Sequence, residues 1–239
     1  MKLKSVLFAV LCLFIISGCG SDDEGGSFKC KDCAATPEAA AAYDASSKGI
    51  YKGVVVGSSG IIKFDVANDG NDIIATLIID GNTVNLTSDV TWEAEESLTA
   101  TFTGTLNDQA VSITLYVDAD GGEPEVGYIN IPGHPNASIV IVKEKSDELV
   151  KCYEGRFSGD SSGNFNMVLS DEVGLWSAIA RADDSESATI VSGQLDGSAM
   201  IGSDSQGNVL VTGKVDGDEV SGQWETPDEN GRWKGERTL

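Results

Sequence analysis

The chain is short of basic residues and of histidine, and both shortages exclude functions. Only 16 of its 239 residues are Lys or Arg, against 38 Asp or Glu, which gives a formal net charge of −22. A chain of that charge repels phosphate backbones, so we expect no nucleic-acid partner. The single histidine, His134, lies in a loop without the partners that a catalytic triad or a histidine metal site needs. With no catalytic constellation in the sequence, we expect no enzyme and no cofactor. Acid-rich turns such as 118–123 lack the spacing of an EF-hand loop, so we expect no metal.

Long apolar runs are missing from most of the chain, and the one at its start is short. No stretch after residue 16 approaches the roughly eighteen apolar residues of a membrane-spanning helix. At the start, Lys2 and Lys4 precede an apolar run over 6–16 and the small residues Ser17 and Gly18. This is the order of regions in a secretory signal, so we expect residues 1–18 to be a signal peptide.

The segment ends in Ile16-Ser17-Gly18-Cys19, which resembles the lipobox of bacterial lipoproteins. The resemblance implies cleavage before Cys19, a diacylglycerol thioether on its sulfur, and a fatty acyl group such as palmitate on the new N-terminus. Cleavage would remove Lys2 and Lys4 and take the formal net charge from −22 to −24. Because such a charge repels an anionic membrane surface, two or more acyl chains would have to supply the anchor.

Asp22-Asp23-Glu24 follow this cysteine closely and resemble the export signal of some surface-exposed outer-membrane lipoproteins. The same residues are also explained as part of a solvated, flexible spacer over 20–29. Gly20 differs from the Asp that, in many Gram-negative bacteria, resembles an inner-membrane retention signal. We expect a lipid-anchored protein of the outer membrane. The export-like residues favour the cell surface, and the sequence does not decide between the external and the periplasmic face.

Three thiols remain once Cys12 is removed and Cys19 is acylated: Cys30, Cys33 and Cys152. Closeness in sequence favours a Cys30–Cys33 bridge. A bridge from either of them to Cys152 would close a loop of about 120 residues and contribute roughly 4–5 kcal/mol, so both pairings stay open. The Cys-x-x-Cys lies in a polar tether and not at a helix start, which argues against thioredoxin-like catalysis. An exported thiol-disulfide protein using Cys30 and Cys33 is kept as an alternative function.

Thr36-Pro37-Glu38 has the composition of a helix start, with an N-cap residue, a Pro at the first helical position and an acid in the first turn. The alanines that follow predict one short helix that ends before residue 46. Residues 19–49 are therefore expected to form a lipidated tether that carries the Cys-x-x-Cys and this helix.

A duplication is the strongest internal signal. The motif Tyr51-x-Gly53-x-Val55 recurs 102 positions later as Tyr153-x-Gly155-x-Phe157, and a Ser-Ser-Gly turn follows each copy. Alternating apolar and polar residues, separated by Asp-Gly and Gly-Asn turns, are typical of antiparallel strands joined by tight turns. About seven or eight strands per copy predict an all-β fold of two tandem antiparallel up-and-down meander domains, 50–145 and 146–239. Many inward-facing glycines indicate small barrels or coiled sheets, and closure is left open.

Trp92, in an acidic stretch, is the best candidate for an exposed aromatic that contacts a ligand, whereas Trp224 and Trp233 are expected in a core. We expect a non-enzymatic lipoprotein whose domains bind a protein or glycan partner, or a small apolar or sugar ligand. The alternative is a structural envelope component without a ligand. A filled interior in both domains would favour the structural function, and an open, Trp-lined cavity would favour binding.

Overall fold

The computed structural model describes residues 28–56, 60–70, 72–92 and 96–239. Cys19 and the expected signal peptide lie outside these residues. The described part is all-β: antiparallel strands form two eight-stranded sheets, and the one other regular element within it is a 3₁₀ turn at Ala41–Tyr43. None of the described residues belongs to a helix with the length and hydropathy needed to cross a bilayer.

The first sheet is a nearly closed barrel. Its strands are β1 (Gly49–Val56), β2 (Gly60–Val66), β3 (Ile73–Ile79), β4 (Asn82–Thr87), β5 (Leu98–Leu106), β6 (Gln109–Val117), β7 (Glu125–Asn130) and β8 (Ser138–Glu144). Each strand pairs with the next as far as β7, and β8 returns to pair with β1. The two edges, β7 and β8, lie side by side but form no ladder of hydrogen bonds between them.

The second sheet is a closed barrel. Its strands are β9 (Val150–Gly159), β10 (Gly163–Ser170), β11 (Leu175–Ala182), β12 (Thr189–Asp196), β13 (Ala199–Asp204), β14 (Leu210–Asp216), β15 (Glu219–Glu225) and β16 (Asn230–Arg237). Closure comes from β16 and β9, which pair from Gly231 opposite Gly159 to Arg237 opposite Tyr153. This barrel therefore has no free edge strand.

The structure has the repeat-like architecture that the sequence predicts: in each of the two domains the first strand pairs with both the second and the last. Tyr51 and Tyr153 are fully buried at corresponding places in β1 and β9. A Cβ on Gly53 would collide with Ile141 of β8, and a Cβ on Gly155 would lie 2.6 Å from the Phe165 ring. The shared motif thus marks a strand that packs too closely for any larger residue at the glycine.

The two domains pack against each other through outward-facing side chains. A shared apolar cluster fills the interface: Val54, Val56, Ile61, Val150, Cys152, Val168 and Ile179. The Cys152 thiol donates to the Gly53 carbonyl at 3.7 Å, and the Asn166 amide donates to the Val55 carbonyl. Since β8 ends at Glu144 and β9 begins at Val150, the connection falls in the charged stretch 145–149.

Residues 28–48, called the strap below, run along the ends of both domains and contact each of them. On the second domain, Asp218 accepts the Cys30 N–H at 3.0 Å, and the Arg237 guanidinium donates to the Ala34 carbonyl at 2.6 Å. On the first domain, the Lys143 ammonium donates to three strap carbonyls, those of Tyr43, Ser46 and Lys48. The described part of the expected tether is therefore docked onto the folded domains.

The short helix predicted after Pro37 is not found, because the strap has only the 3₁₀ turn. The Glu38 N–H donates to the Glu144 carboxylate at 2.7 Å, and the Ala40 N–H donates to the Asn68 side-chain oxygen at 2.8 Å. These partners satisfy N–H groups that a helix start would leave free, and they hold the chain in a non-helical path. Tertiary contacts here override a weak local preference.

A buried ion pair lies where the strap meets both domains. Lys52 and Glu144 are fully buried, with 2.6 Å between the ammonium and one carboxylate oxygen. That oxygen also accepts the Val150 N–H at 3.0 Å, and Glu38 of the strap lies 3.0 Å from the Lys52 ammonium. One carboxylate thus joins β1, β9 and the strap.

Candidate ligand-binding cavity

The first domain has a filled interior. Its inward positions carry large apolar side chains, of which the bulkiest fully buried ones are Tyr51, Ile62, Phe64, Leu77, Ile79, Leu86, Leu98, Phe102, Ile113 and Leu115. Phe64 and Phe102 meet edge to face, with ring centroids 4.9 Å apart. Such interdigitated packing is typical of an ordinary protein core.

The second domain instead places glycines beside its inward-facing tryptophans. A Cβ on Gly202 would lie 2.5 Å from the Trp176 ring, and a Cβ on Gly231 would lie 2.4 Å from the Trp224 ring. Gly222 stands in the same relation to Trp233, at 2.7 Å. Each indole therefore lies against bare backbone of another strand, in space that a larger side chain would take. The rings are held at the wall of the barrel.

A cavity of about 250 Å³ remains inside this barrel. Its wall carries five aromatic rings, those of Phe157, Phe165, Trp176, Trp224 and Trp233. Two pairs of these rings meet edge to face, with centroids 5.9 Å apart for Phe157 and Trp224 and 5.5 Å apart for Phe165 and Trp233. Along β11, the inward positions that follow Trp176 carry only the small side chains Ala178, Ala180 and Ala182. An eight-stranded barrel is just wide enough to hold one small ligand.

The cavity is closed at one end and open at the other. Buried side chains fill the closed end: Tyr153, Leu169, Met200 and Val220. Asp218 and Arg237, which hold the strap, belong to this end of the barrel as well. At the open end, hydroxyl and carboxylate side chains from three loops form a rim: Ser161, Ser185, Ser187, Thr226 and Glu229.

The tryptophan N–H groups in the wall are already used. They donate to backbone carbonyls of the barrel at 3.1–3.3 Å, those of Gln194, Ser158 and Gln223. Because these donors are satisfied, they offer nothing to a ligand, and the wall presents mainly apolar surface. A ligand would gain affinity here by burying an apolar body, at roughly 25 cal/mol per Å² of apolar surface.

Comparisons with known proteins return no relatives. No protein-family model matches the chain, and neither a curated protein nor a solved structure matches it. A functional assignment therefore rests on the barrel and its cavity.

Trp92, expected to be an exposed ligand contact, is half-buried and lies in the first domain. It packs against the core of that domain, and its N–H donates to the Ser47 hydroxyl at 3.0 Å. The Lys48 ammonium lies 6.0 Å from the centre of its ring. Trp92 thus helps to seat the strap and is not part of the cavity.

Of the two disulfide pairings left open by the sequence, the structure contains the short one. Cys30 and Cys33 are bonded, with their Cα atoms 5.5 Å apart. Cys152 is a free thiol, fully buried between the domains, and burial raises its pKa to about 12. Attachment of the strap to the second domain therefore depends on hydrogen bonds and not on a covalent bridge to Cys152.

His134 lies in the loop between β7 and β8, with its imidazole 3.6 Å from the Asp80 carboxylate. Nowhere in the described ranges do three or more His, Cys, Asp or Glu side chains come together as a set of metal ligands.

Of the residues that form the cavity, the sequence predicts Trp224 and Trp233 in a core and identifies none as a ligand contact. The available signal was the regular placement of glycine and aromatic residues at inward positions, as in Gly222 and Trp224 of β15. That pattern indicated curvature. It could not show that the rings would lie at the wall and leave the centre open.

Proposed function

We propose that this protein is a non-enzymatic lipoprotein, anchored in the outer membrane through Cys19, whose second domain binds a small apolar ligand. The cavity carries the proposal. A void inside a domain lowers its stability, because the atoms lining the void lose packing partners. The first domain, with a similar order of strands, has an interior filled by large side chains. The open interior of the second domain therefore supports ligand binding over a purely structural function.

The size of the cavity limits the ligand. Its volume of about 250 Å³ exceeds the roughly 150 Å³ of an engineered cavity that takes benzene, and falls below the roughly 300–1,000 Å³ of sites for drug-sized molecules. A body of one or two rings fits this interval. The probe for the test is therefore 6-propionyl-2-(dimethylamino)naphthalene, an uncharged two-ring compound whose emission shifts to shorter wavelength in apolar surroundings.

Titration of the purified protein with this probe tests the proposal. Ala180→Leu adds bulk to the inner wall of β11 and should weaken binding about tenfold or more. Ala199→Leu adds the same bulk to the exposed start of β13 and should leave binding as in the wild type. Equal binding by both variants would place the probe elsewhere and would refute the cavity as the site.

The anchor is supported by the lipobox-like residues 16–19 and by the acidic stretch that follows them. Radiolabelled palmitate should be incorporated by the wild type and lost in Cys19→Ala, which should also leave the membrane fraction. A wild-type protein that stays soluble and unacylated in cells would refute the anchor without affecting the cavity.

A further inference from the structure

The charged side chains at the open end of the cavity attract or repel charged ligands. Glu229 lines the rim together with the hydroxyls of Ser161, Ser185, Ser187 and Thr226. The loop over 183–188 adds further carboxylates beside Ser185 and Ser187, those of Asp183, Asp184 and Glu186. The rim thus combines hydrogen-bonding hydroxyls with negative charge.

No compensating cation lines this end. Among the described residues that border the cavity, none is Lys or Arg. Three arginines lie near this end of the barrel. Arg156 pairs with Asp183 of the 183–188 loop at 2.8 Å, so this carboxylate adds no net charge to the rim. Arg181 donates to the Asn136 carbonyl of the first domain, and Arg232 alternates with the inward-facing Trp233 and lies on the outer face of β16. A ligand carboxylate at the rim would therefore meet negative charge without a partner.

The polar group of a ligand has to lie at this rim. The wall offers it no tryptophan N–H, since Trp176, Trp224 and Trp233 all donate to barrel carbonyls. An amphipathic ligand would consequently point its apolar body inward and its polar end toward the hydroxyls and Glu229. The Ser185 and Thr226 hydroxyls already bond within their own loops. A protonated amine at the rim can therefore donate to the hydroxyl oxygens of Ser161 and Ser187, and it is attracted by the Glu229 carboxylate.

On this geometry, and resting on the proposed function of the barrel, we propose that the natural ligand is a small organic cation: an apolar body of one or two rings that carries a protonated amine. The rim holds the ammonium group, and the aromatic wall holds the rings. Carboxylates of the same shape are rejected.

Three matched probes separate charge from shape: 1-naphthylmethylamine, 1-naphthalenemethanol and 1-naphthoic acid. Isothermal titration of the full mature protein near pH 7 and at low salt should give the tightest binding for the amine, and binding about tenfold or more weaker for the acid. The gap between amine and acid should shrink in 0.5 M NaCl, because salt screens the rim charges.

Variants locate the source of the selectivity. Glu229→Gln should reduce the ratio of amine to alcohol affinity, whereas Asp228→Asn, one residue away and outside the cavity lining, should leave that ratio as in the wild type. An acid that binds as tightly as the amine would overturn the proposed selectivity but leave the cavity as a binding site. Failure of all three probes to bind would overturn both proposals.

Discussion

Glu144 is the residue at which the two domains and the strap meet. Its carboxylate binds the Lys52 ammonium and accepts the N–H groups of Glu38 and Val150. Lys52 and Glu144 are fully buried. Removal of the Lys52 charge therefore leaves Glu144 in a poorly solvated place without its counterion, whereas Lys52 would still have Glu38 at 3.0 Å if Glu144 were replaced.

We expect Lys52→Met to lower the free energy of unfolding by about 3–5 kcal/mol, measured by urea denaturation. In that background, Glu144→Gln removes the orphaned charge and keeps an oxygen that can accept an N–H. The double variant should therefore recover part of the loss. A single Lys52→Met variant within about 0.5 kcal/mol of the wild type would contradict the buried pair.

Cys152 shows how burial controls a thiol. Burial between the domains raises its pKa to about 12, although the nearby Lys52 and Arg237 charges act in the opposite direction. The reactive form of cysteine is the thiolate, which is scarce here at neutral pH. We expect iodoacetamide to leave Cys152 unmodified in the native protein and to modify it in guanidinium chloride, as read by mass spectrometry. Rapid native labelling would show that the interface opens easily.

At the scale of elements, the closed barrel depends on the fit between glycines and indoles. A Cβ on Gly222 of β15 would lie 2.7 Å from the Trp233 ring and closer still to the Thr212 carbonyl. The backbone cannot yield easily at such a contact, so the ring or the strand must shift.

Gly222→Ala should therefore destabilise the protein by about 1–3 kcal/mol and weaken probe binding by pushing Trp233 toward the cavity. Thermal unfolding and tryptophan fluorescence measure the two effects. Gly70→Ala is the control, because a Cβ at Gly70 meets nothing within 4 Å. Similar losses for both variants would show that the tight contact is not the cause.

The strands themselves were predictable, because alternation and turn residues are local properties. In β5, for example, Leu98, Ala100 and Phe102 are buried and the threonines between them are exposed, as the alternation of apolar and polar residues predicts. Whether a sheet closes is not local: β7 and β8 form no ladder of hydrogen bonds, whereas their counterparts β15 and β16 pair along their length and complete the ring. The strap path is equally non-local, because it is set by side chains such as Asn68 and Glu144 that lie far along the chain.

The contact of the strap with the first domain should depend on pH. Burial opposes the charge on Glu38, but hydrogen bonds from Lys63 and Lys52 and their positive charges outweigh this and lower its pKa below the ordinary 4.5. Its contribution to stability is therefore present above about pH 4.5 and is lost as the pH falls further.

Because Glu38 is partly exposed, we expect a modest effect. Glu38→Gln should reduce the free energy of unfolding at pH 6 by up to about 1 kcal/mol. The difference from the wild type should narrow at pH 3, as measured by urea unfolding at both values. A difference that widens on acidification would contradict the sign of this shift.

At the scale of the whole molecule, the strap and the cavity mouth lie at opposite ends of the second barrel. Ser198 and Ser205 flank β13 at its two ends, about 20 Å apart along the strand. Ser198 belongs to the closed end, where the strap docks, and Ser205 belongs to the open end. If Cys19 is lipidated, the closed end should face the membrane.

We expect a fluorophore on Ser198→Cys to be quenched more strongly by doxyl-labelled lipids than the same fluorophore on Ser205→Cys. The measurement uses the lipidated protein in vesicles. Both changes replace an exposed serine, so the comparison is matched. Equal quenching would mean that the molecule has no preferred orientation on its anchor.

The strap can dock onto the second barrel only after the end of the chain has been made. The residues that hold it to the second barrel, Asp218 and Arg237, follow their partners Cys30 and Ala34 by 188 and 203 positions. A chain that is made from its N-terminus presents the strap long before those partners exist, and contacts between such distant residues form slowly. Arg237 also ends the strand that closes the barrel. Docking of the strap therefore reports that synthesis of the chain and closure of the second barrel have both been completed.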